Sequence, residues 1–243
     1  MSTDRTQAPL DDTALAALAA EAVAMETTVF DLDAMLGPRS PSYRILPGRL
    51  PIVLSAPHAV QQRRCSGVMP PALHRSEPYT GPLAIQLNRL AGVWTIYAAR
   101  PSYSDPNHAA FSTYKRFGLP RVASMAAPRL ILDLHGTQTT EFDIAIGTSP
   151  VLRARRGQAL IDLVVAQLAA VFDGRIVVDP PAFSANNPHT VTAHCWSTLE
   201  IPSMQIEISR ALRRPRQDPA GYGRLLRALY DLIGALSQME GQC

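Results

Sequence analysis

The chain has 243 residues, 47% of them apolar and 18% charged, which fits one sizeable globular domain and excludes a disordered chain. Lysine and arginine exceed the acids by three charges, too small a surplus for a nucleic-acid binder. The three cysteines, Cys65, Cys195 and Cys243, form no CxxC motif, so neither a disulfide framework nor a zinc knuckle is indicated.

Residues 1–11 read as a loose polar tail, without the basic-then-apolar order of a signal peptide. Residues 12–243 read as a single domain. The Ala-rich stretch DDTALAALAAEAVAMETTVFDL opens with acids and predicts an amino-terminal helix packed on the body. No apolar run reaches the ~18 residues of a membrane span, so the expected home is the cytoplasm. PIVLSAPH (51–58) predicts a strand, and the Pro- and Gly-bearing residues 61–81 predict a loop. PLAIQLNRLAG (82–92) predicts a helix, with Pro at its start and Gly at its end. VWTIYAA (93–99) is a strand, followed by a long polar loop over 100–118.

RLILDLHG (129–136) and FDIAIGT (142–148) read as interior strands, and 150–172 as a helix with Leu160, Val164, Leu168 and Val171 on one face. RIVVDPP (175–181) is a strand, FSANNPHTVTAH (183–194) a polar loop, and SMQIEISR (203–210) a strand with an acid inside it. The last helix starts near Pro219, with Tyr222, Leu225, Leu226, Leu229, Ile233 and Leu236 on one face. The basic clusters Arg153–Arg156 and Arg210–Arg216 read as solvated surface. Strands alternating with helices predict an α/β fold with a mixed, mostly parallel sheet.

Three strand ends carry chemistry: LSAPH ends at His58, LDLH ends at His135, and MQIEISR carries Glu207. In open α/β sheets ligands bind beyond the carboxyl ends of the strands. Glu77 lies in the loop after the first of these strands. Two imidazoles and a carboxylate make a catalytic zinc set with one position left for water, and a further carboxylate can take that water's proton. A charge within the apolar run Met204, Ile206, Ile208 is costly unless it is paired, metal-bound or functional, which singles out Glu207. Asp133 is read as orienting a metal-bound imidazole.

APHA, the following SEP, LDLHG and QIEISR, in this order over roughly residues 50–212, resemble the N-formylglutamate amidohydrolase family, relatives of the zinc carboxypeptidases. The resemblance implies a zinc-peptidase-like (phosphorylase/hydrolase-like) core and a zinc-dependent hydrolase cleaving the amide of an N-acyl amino acid or small peptide. It implies His58, Glu77 and His135 as Zn2+ ligands and Glu207 as general base. His74 and Glu77 have the H-x-x-E spacing of carboxypeptidase ligands, so His74 stands as an alternative ligand or substrate contact. His58 is preferred because it directly follows the core strand.

The segment SDPNHAAF falls where the family carries an Asp-Leu-Asn-Arg segment that binds the substrate's carboxylate. Asn107 matches the Asn, but His108 stands in place of the Arg, which points to a different amide. Arg100, Arg116, Arg210 and His194 are the remaining candidates for substrate contacts. The reading that competes with a hydrolase is a metal-binding or partner-binding α/β domain without turnover. No nucleic-acid or membrane partner is expected, and the sequence is silent on oligomeric state.

Overall fold

Runs of Val, Ile and Leu become strands with both faces covered, as a mostly parallel sheet requires. The computed structural model describes residues 10–30, 41–64, 72–148, 152, 157–172 and 175–239. Most of the expected tail, Cys65, Cys243 and the Arg153–Arg156 cluster lie outside the described residues. In chain order the elements are α1 (Asp12–Met25), extended by a wide π turn (Glu26–Phe30), β1 (Tyr43–Leu46), β2 (Leu50–Ala56), β3 (Gln62–Arg64) and β4 (Ala72–His74). Then come α2 (Thr80–Ala91), β5 (Val93–Ala98), a second π turn (Tyr114–Gly118), α3 (Leu119–Ala126), β6 (Leu130–Thr137) and β7 (Ile144–Thr148). The chain continues through α4 (Gln158–Ala169), β8 (Ile176–Val178), α5 (Val191–Leu199) and β9 (Ser203–Ser209) to α6 (Pro219–Gln238).

The seven-stranded sheet has the order β1-β5-β2-β6-β9-β7-β8, with β3 and β4 forming a separate hairpin. Strands β5, β2, β6 and β9 run parallel, while β1 and β7 join the block antiparallel. From β2 the chain winds through α2 to β5 on one side, then returns to the other side of β2 with β6. A reversal of this kind leaves a crevice at the carboxyl ends of the two strands.

The flanking helices follow from local chemistry. Gly92 ends α2 at φ 75°, a conformation that favours glycine, and its N–H returns to Asn88 O at 2.9 Å. Asp218 caps α6 by accepting from Gly221 N at 2.8 Å, Pro219 begins the helix, and all six residues expected on its inner face are buried.

Several expectations need correction. The hairpin β3–β4 lies inside the expected loop 61–81, and α5 starts at Val191 inside the expected loop 183–194. Strand β1 and helix α3 have no counterpart in the sequence reading, because both are short. One helical stretch, Asp12–Phe30, is long and apolar enough to cross a membrane by length and composition, contrary to expectation. In this structure it docks on the body: Ala19, Ala22 and Phe30 are buried, Leu18 O accepts from Gln86 Nε2 at 2.7 Å, and Glu26 Oε2 accepts from Tyr79 N at 2.9 Å.

Candidate metal centre

His58 sits two residues past β2, so the strand delivers it to the crevice. The long excursion that follows returns where the Glu77 N–H donates to His58 O at 2.9 Å. His135 and Glu207 are register partners on the parallel pair β6–β9, and their side chains therefore share one face of the sheet. Glu77 Oε1 lies 2.7 Å from His58 Nδ1, and its Oε2 lies 3.1 Å from His135 Nδ1 and accepts from Gly136 N at 2.8 Å. The two rings stand 4.9 Å apart between centroids.

The outer nitrogen of each imidazole is held by a buried carboxylate. His58 Nε2 is 2.7 Å from Asp105 Oδ1, and Asp105 Oδ2 accepts from Arg64 Nε at 2.6 Å. His135 Nε2 is 3.0 Å from Asp133 Oδ2, and Asp133 Oδ1 accepts from Ser55 Oγ at 2.7 Å. A carboxylate on one ring nitrogen fixes the ring and turns the lone pair of the other nitrogen inward. Both Nδ1 atoms thus converge on Glu77. Among the described residues, His58, Glu77 and His135 form a group with its donor atoms all within 4.8 Å. The donor chemistry, two imidazoles and one carboxylate, fits a catalytic zinc.

A second group, His58, His74 and Asp105, meets the same distance limit. Both oxygens of Asp105 are already engaged by His58 and Arg64, and His74 is 30% exposed with Nε2 4.0 Å from Glu77 Oε1. His74 stands at the rim, its ring 4.8 Å from that of His58.

The charges are strongly coupled. Burial favours neutral His58, but Glu77 and Asp105 beside it outweigh burial and raise its pKa to about 9. Burial likewise disfavours charged His135, yet Glu77 and Asp133 hold its pKa well above that of a free imidazole. The two imidazoles pull Glu77 well below the usual carboxylate range against the opposing effect of burial. Burial, opposed by His135 and reinforced by Glu77, pushes Glu207 up to about 7. Glu207 Oε1 accepts from Gln205 Nε2 at 2.7 Å, which fixes one carboxylate oxygen.

These groups line a cleft of about 640 Å³. Asn107 lines it, with its side-chain oxygen accepting from Val191 N at 2.7 Å. His108 also lines it. Among the described lining residues, Arg64 is the one arginine or lysine. Four expected substrate contacts are not part of its wall. Arg116 and His194 line a separate cavity of about 680 Å³, which shares the loops 107–111 and 186–190 with the cleft. The Arg100 N–H donates to Ser42 O, and the residue is not part of the cleft wall. Arg210 is exposed and reaches only Gln138 Oε1 on the rim, at 3.0 Å.

Sequence reasoning missed Asp105, Arg64, Gln205 and Arg213. Arg64 ends the short strand β3 and carries no signal, since it acquires its partner only through the fold, whereas Asp105 had one in standing two residues before Asn107, at the Asp of the resembled segment. Gln205 had one: it lies two residues before Glu207 and hence on the same strand face.

Fold and site define a single-domain α/β protein with a mixed, mostly parallel sheet and a candidate metal centre at its strand ends. Among solved structures, the chain is similar to a bacteriophage poly-gamma-glutamate hydrolase, at 18% identity and a TM-score of 0.52, covering 86% of this chain and 96% of the other. It is also similar to gene product Atu2144 from Agrobacterium tumefaciens, at 14% identity and a TM-score of 0.56, covering 89% of this chain and 100% of the other. At these identities the likeness is one of fold. No protein-family model and no curated protein sequence matches the chain.

Proposed function

We propose that the chain is a zinc-dependent amide hydrolase acting on an N-acyl amino acid or a small peptide, similar in kind to the N-formylglutamate amidohydrolases. The observation that carries this reading is the convergence of His58 Nδ1, His135 Nδ1 and Glu77, each imidazole backed by its own buried carboxylate, with Glu207 on the neighbouring strand. A binding site for a metal needs no additional buried acid, whereas a hydrolase needs a base.

His58, Glu77 and His135 would hold the ion. When bound, zinc polarises the amide carbonyl and acidifies water towards ~7. Glu207 accepts the proton of the attacking water and returns it to the leaving amine. Its raised pKa suits both transfers, because the carboxylate and the acid are both accessible near neutrality. Gln205 keeps the carboxylate in one orientation by its hydrogen bond to Oε1. By accepting at Nε2, Asp105 and Asp133 fix the two rings with Nδ1 turned towards Glu77, the nitrogen that would face the ion once its proton is displaced. Among the described residues a substrate carboxylate finds one permanent cation in the cleft wall, Arg64, whose Nε is tied to Asp105. This supports a carboxylate-bearing amide, anchored differently from the family pattern that His108 breaks. The cytoplasm is the proposed compartment, where the free thiol of buried Cys195 persists.

Glu207→Gln tests the reading. The variant should retain zinc at wild-type stoichiometry by elemental analysis while turnover of N-acyl amino acids falls by about 10²–10⁴. Unchanged turnover in Glu207→Gln, with zinc retained, would refute the assignment.

A further inference from the structure

The basic run Arg210–Arg216 reads from sequence as solvated surface, yet Arg213 is only 2% exposed. Among the described residues no carboxylate lies at ion-pair distance from its guanidinium. A buried cation of this kind is costly, so the fold must obtain something from it. The guanidinium donates to three backbone carbonyls: Nη1 to Pro78, Nε to Ile208 at 3.1 Å and Nη2 to Thr137 at 3.4 Å. Pro78 follows Glu77, Ile208 follows Glu207, and Thr137 comes shortly after His135. One side chain therefore ties together the three segments that bear a ligand carboxylate, the base and a ligand imidazole.

The packing adds a second link. A Cβ on Gly136 would lie 2.2 Å from the guanidinium carbon, so only glycine lets the planar group rest against this peptide. The N–H of the same Gly136 holds Glu77 Oε2 at 2.8 Å. Arg213 thus lies directly behind the peptide that orients Glu77.

We propose that Arg213 is the positioning residue of the metal centre, its fork fixing the spacing of the Glu77, His135 and Glu207 segments. The inference rests on the zinc reading above. The planar, multi-donor geometry of arginine is what the three carbonyls use, and an ammonium is a single point that cannot span them.

The test measures zinc affinity of the metal-free protein by competition with a chromophoric chelator, alongside thermal melting. Variants are Arg213→Lys, Arg213→Met and, as a stability control in the core of α6, Leu232→Ala. Zinc affinity should fall about 10–100-fold in both Arg213 variants, while Leu232→Ala melts lower and binds zinc as wild type does. Lysine, which restores the charge but not the fork, should fail to rescue. If Arg213→Met does not fold, Arg213→Lys decides the matter against the control. Arg213 variants that bind zinc as wild type does, or no more weakly than Leu232→Ala, overturn this inference alone. Wild-type protein that binds no zinc overturns the metal reading, and this inference with it.

Discussion

Two cavities draw lining residues from the same loops, 107–111 and 186–190, and both contain histidine and a basic side chain. In the cleft each buried imidazole is closed on one nitrogen by a carboxylate and opens the other towards Glu77. In the second cavity His194 Nε2 is buried and has no hydrogen-bond partner among the described residues, and the nearby Lys115 ammonium depresses the pKa of the ring beyond the effect of burial. Lys115 itself donates to two carbonyls, Ala109 O and His189 O, and burial lowers its pKa to about 8. The difference is the arrangement of acids. Imidazoles backed by carboxylates are turned into inward-facing donors for a cation, whereas the ammonium beside His194 repels one.

The largest expected effect breaks this comparison outright. His135→Ala should abolish stoichiometric zinc, measured by elemental analysis of the purified protein, because it removes one of three ligands. His194→Ala should leave zinc content unchanged. Equal loss in the two variants would mean that the acids do not distinguish the cavities. A smaller effect sharpens the same point. Asp105→Asn and Asp133→Asn leave the ligands in place but alter what holds their outer nitrogens, and zinc affinity should weaken about 10–100-fold in each. Asp105→Asn should cost more, since Asp105 also takes the Arg64 guanidinium and the Asn107 N–H, at 2.6 and 2.8 Å.

These contrasts also measure how far the sequence could be read. His135 and Glu207 were legible because an interior strand has few reasons to end in a histidine or to enclose an acid, and β6 and β9 then place the two side by side. His58 was legible for the same reason. Glu77 rested on motif resemblance, since its place depends on a loop that returns to His58 O. Arg116 and His194 were misplaced because position in a polar loop does not say on which side of that loop a side chain emerges. Arg213 was misread as surface because a run of arginines after a strand gives no sign that one of them turns inward onto Gly136. Asp105 and Arg64 became partners only once β3 and the 100–113 loop met. What periodicity and strand ends report was readable; what long-range loop packing decides was not.

The smallest effect concerns pH, and its sign follows from the same acids. The raised pKa of His58, about 9, and of Glu207, about 7, mean that these two groups bind more protons in the metal-free fold than in the unfolded chain, while Lys115, lowered to about 8, acts in the opposite sense above that pH. The stability contributed by Glu207 is complete below its unfolded pKa near 4.5 and is lost as pH rises through about 7. That contributed by His58 is complete below its unfolded value near 6.5 and is lost as pH rises towards about 9. Zinc requires neutral imidazoles, so binding displaces those protons and gains about tenfold in affinity per pH unit for each proton displaced. Metal-free protein should therefore lose melting temperature between pH 6 and pH 8.5 (both about those values), and the increase in melting temperature on adding zinc should be larger at the higher pH. Differential scanning calorimetry with and without zinc reads both quantities. An increase that is the same at the two pH values would show that the imidazoles give up no proton to the ion over this range, which would refute their raised pKa in the metal-free protein.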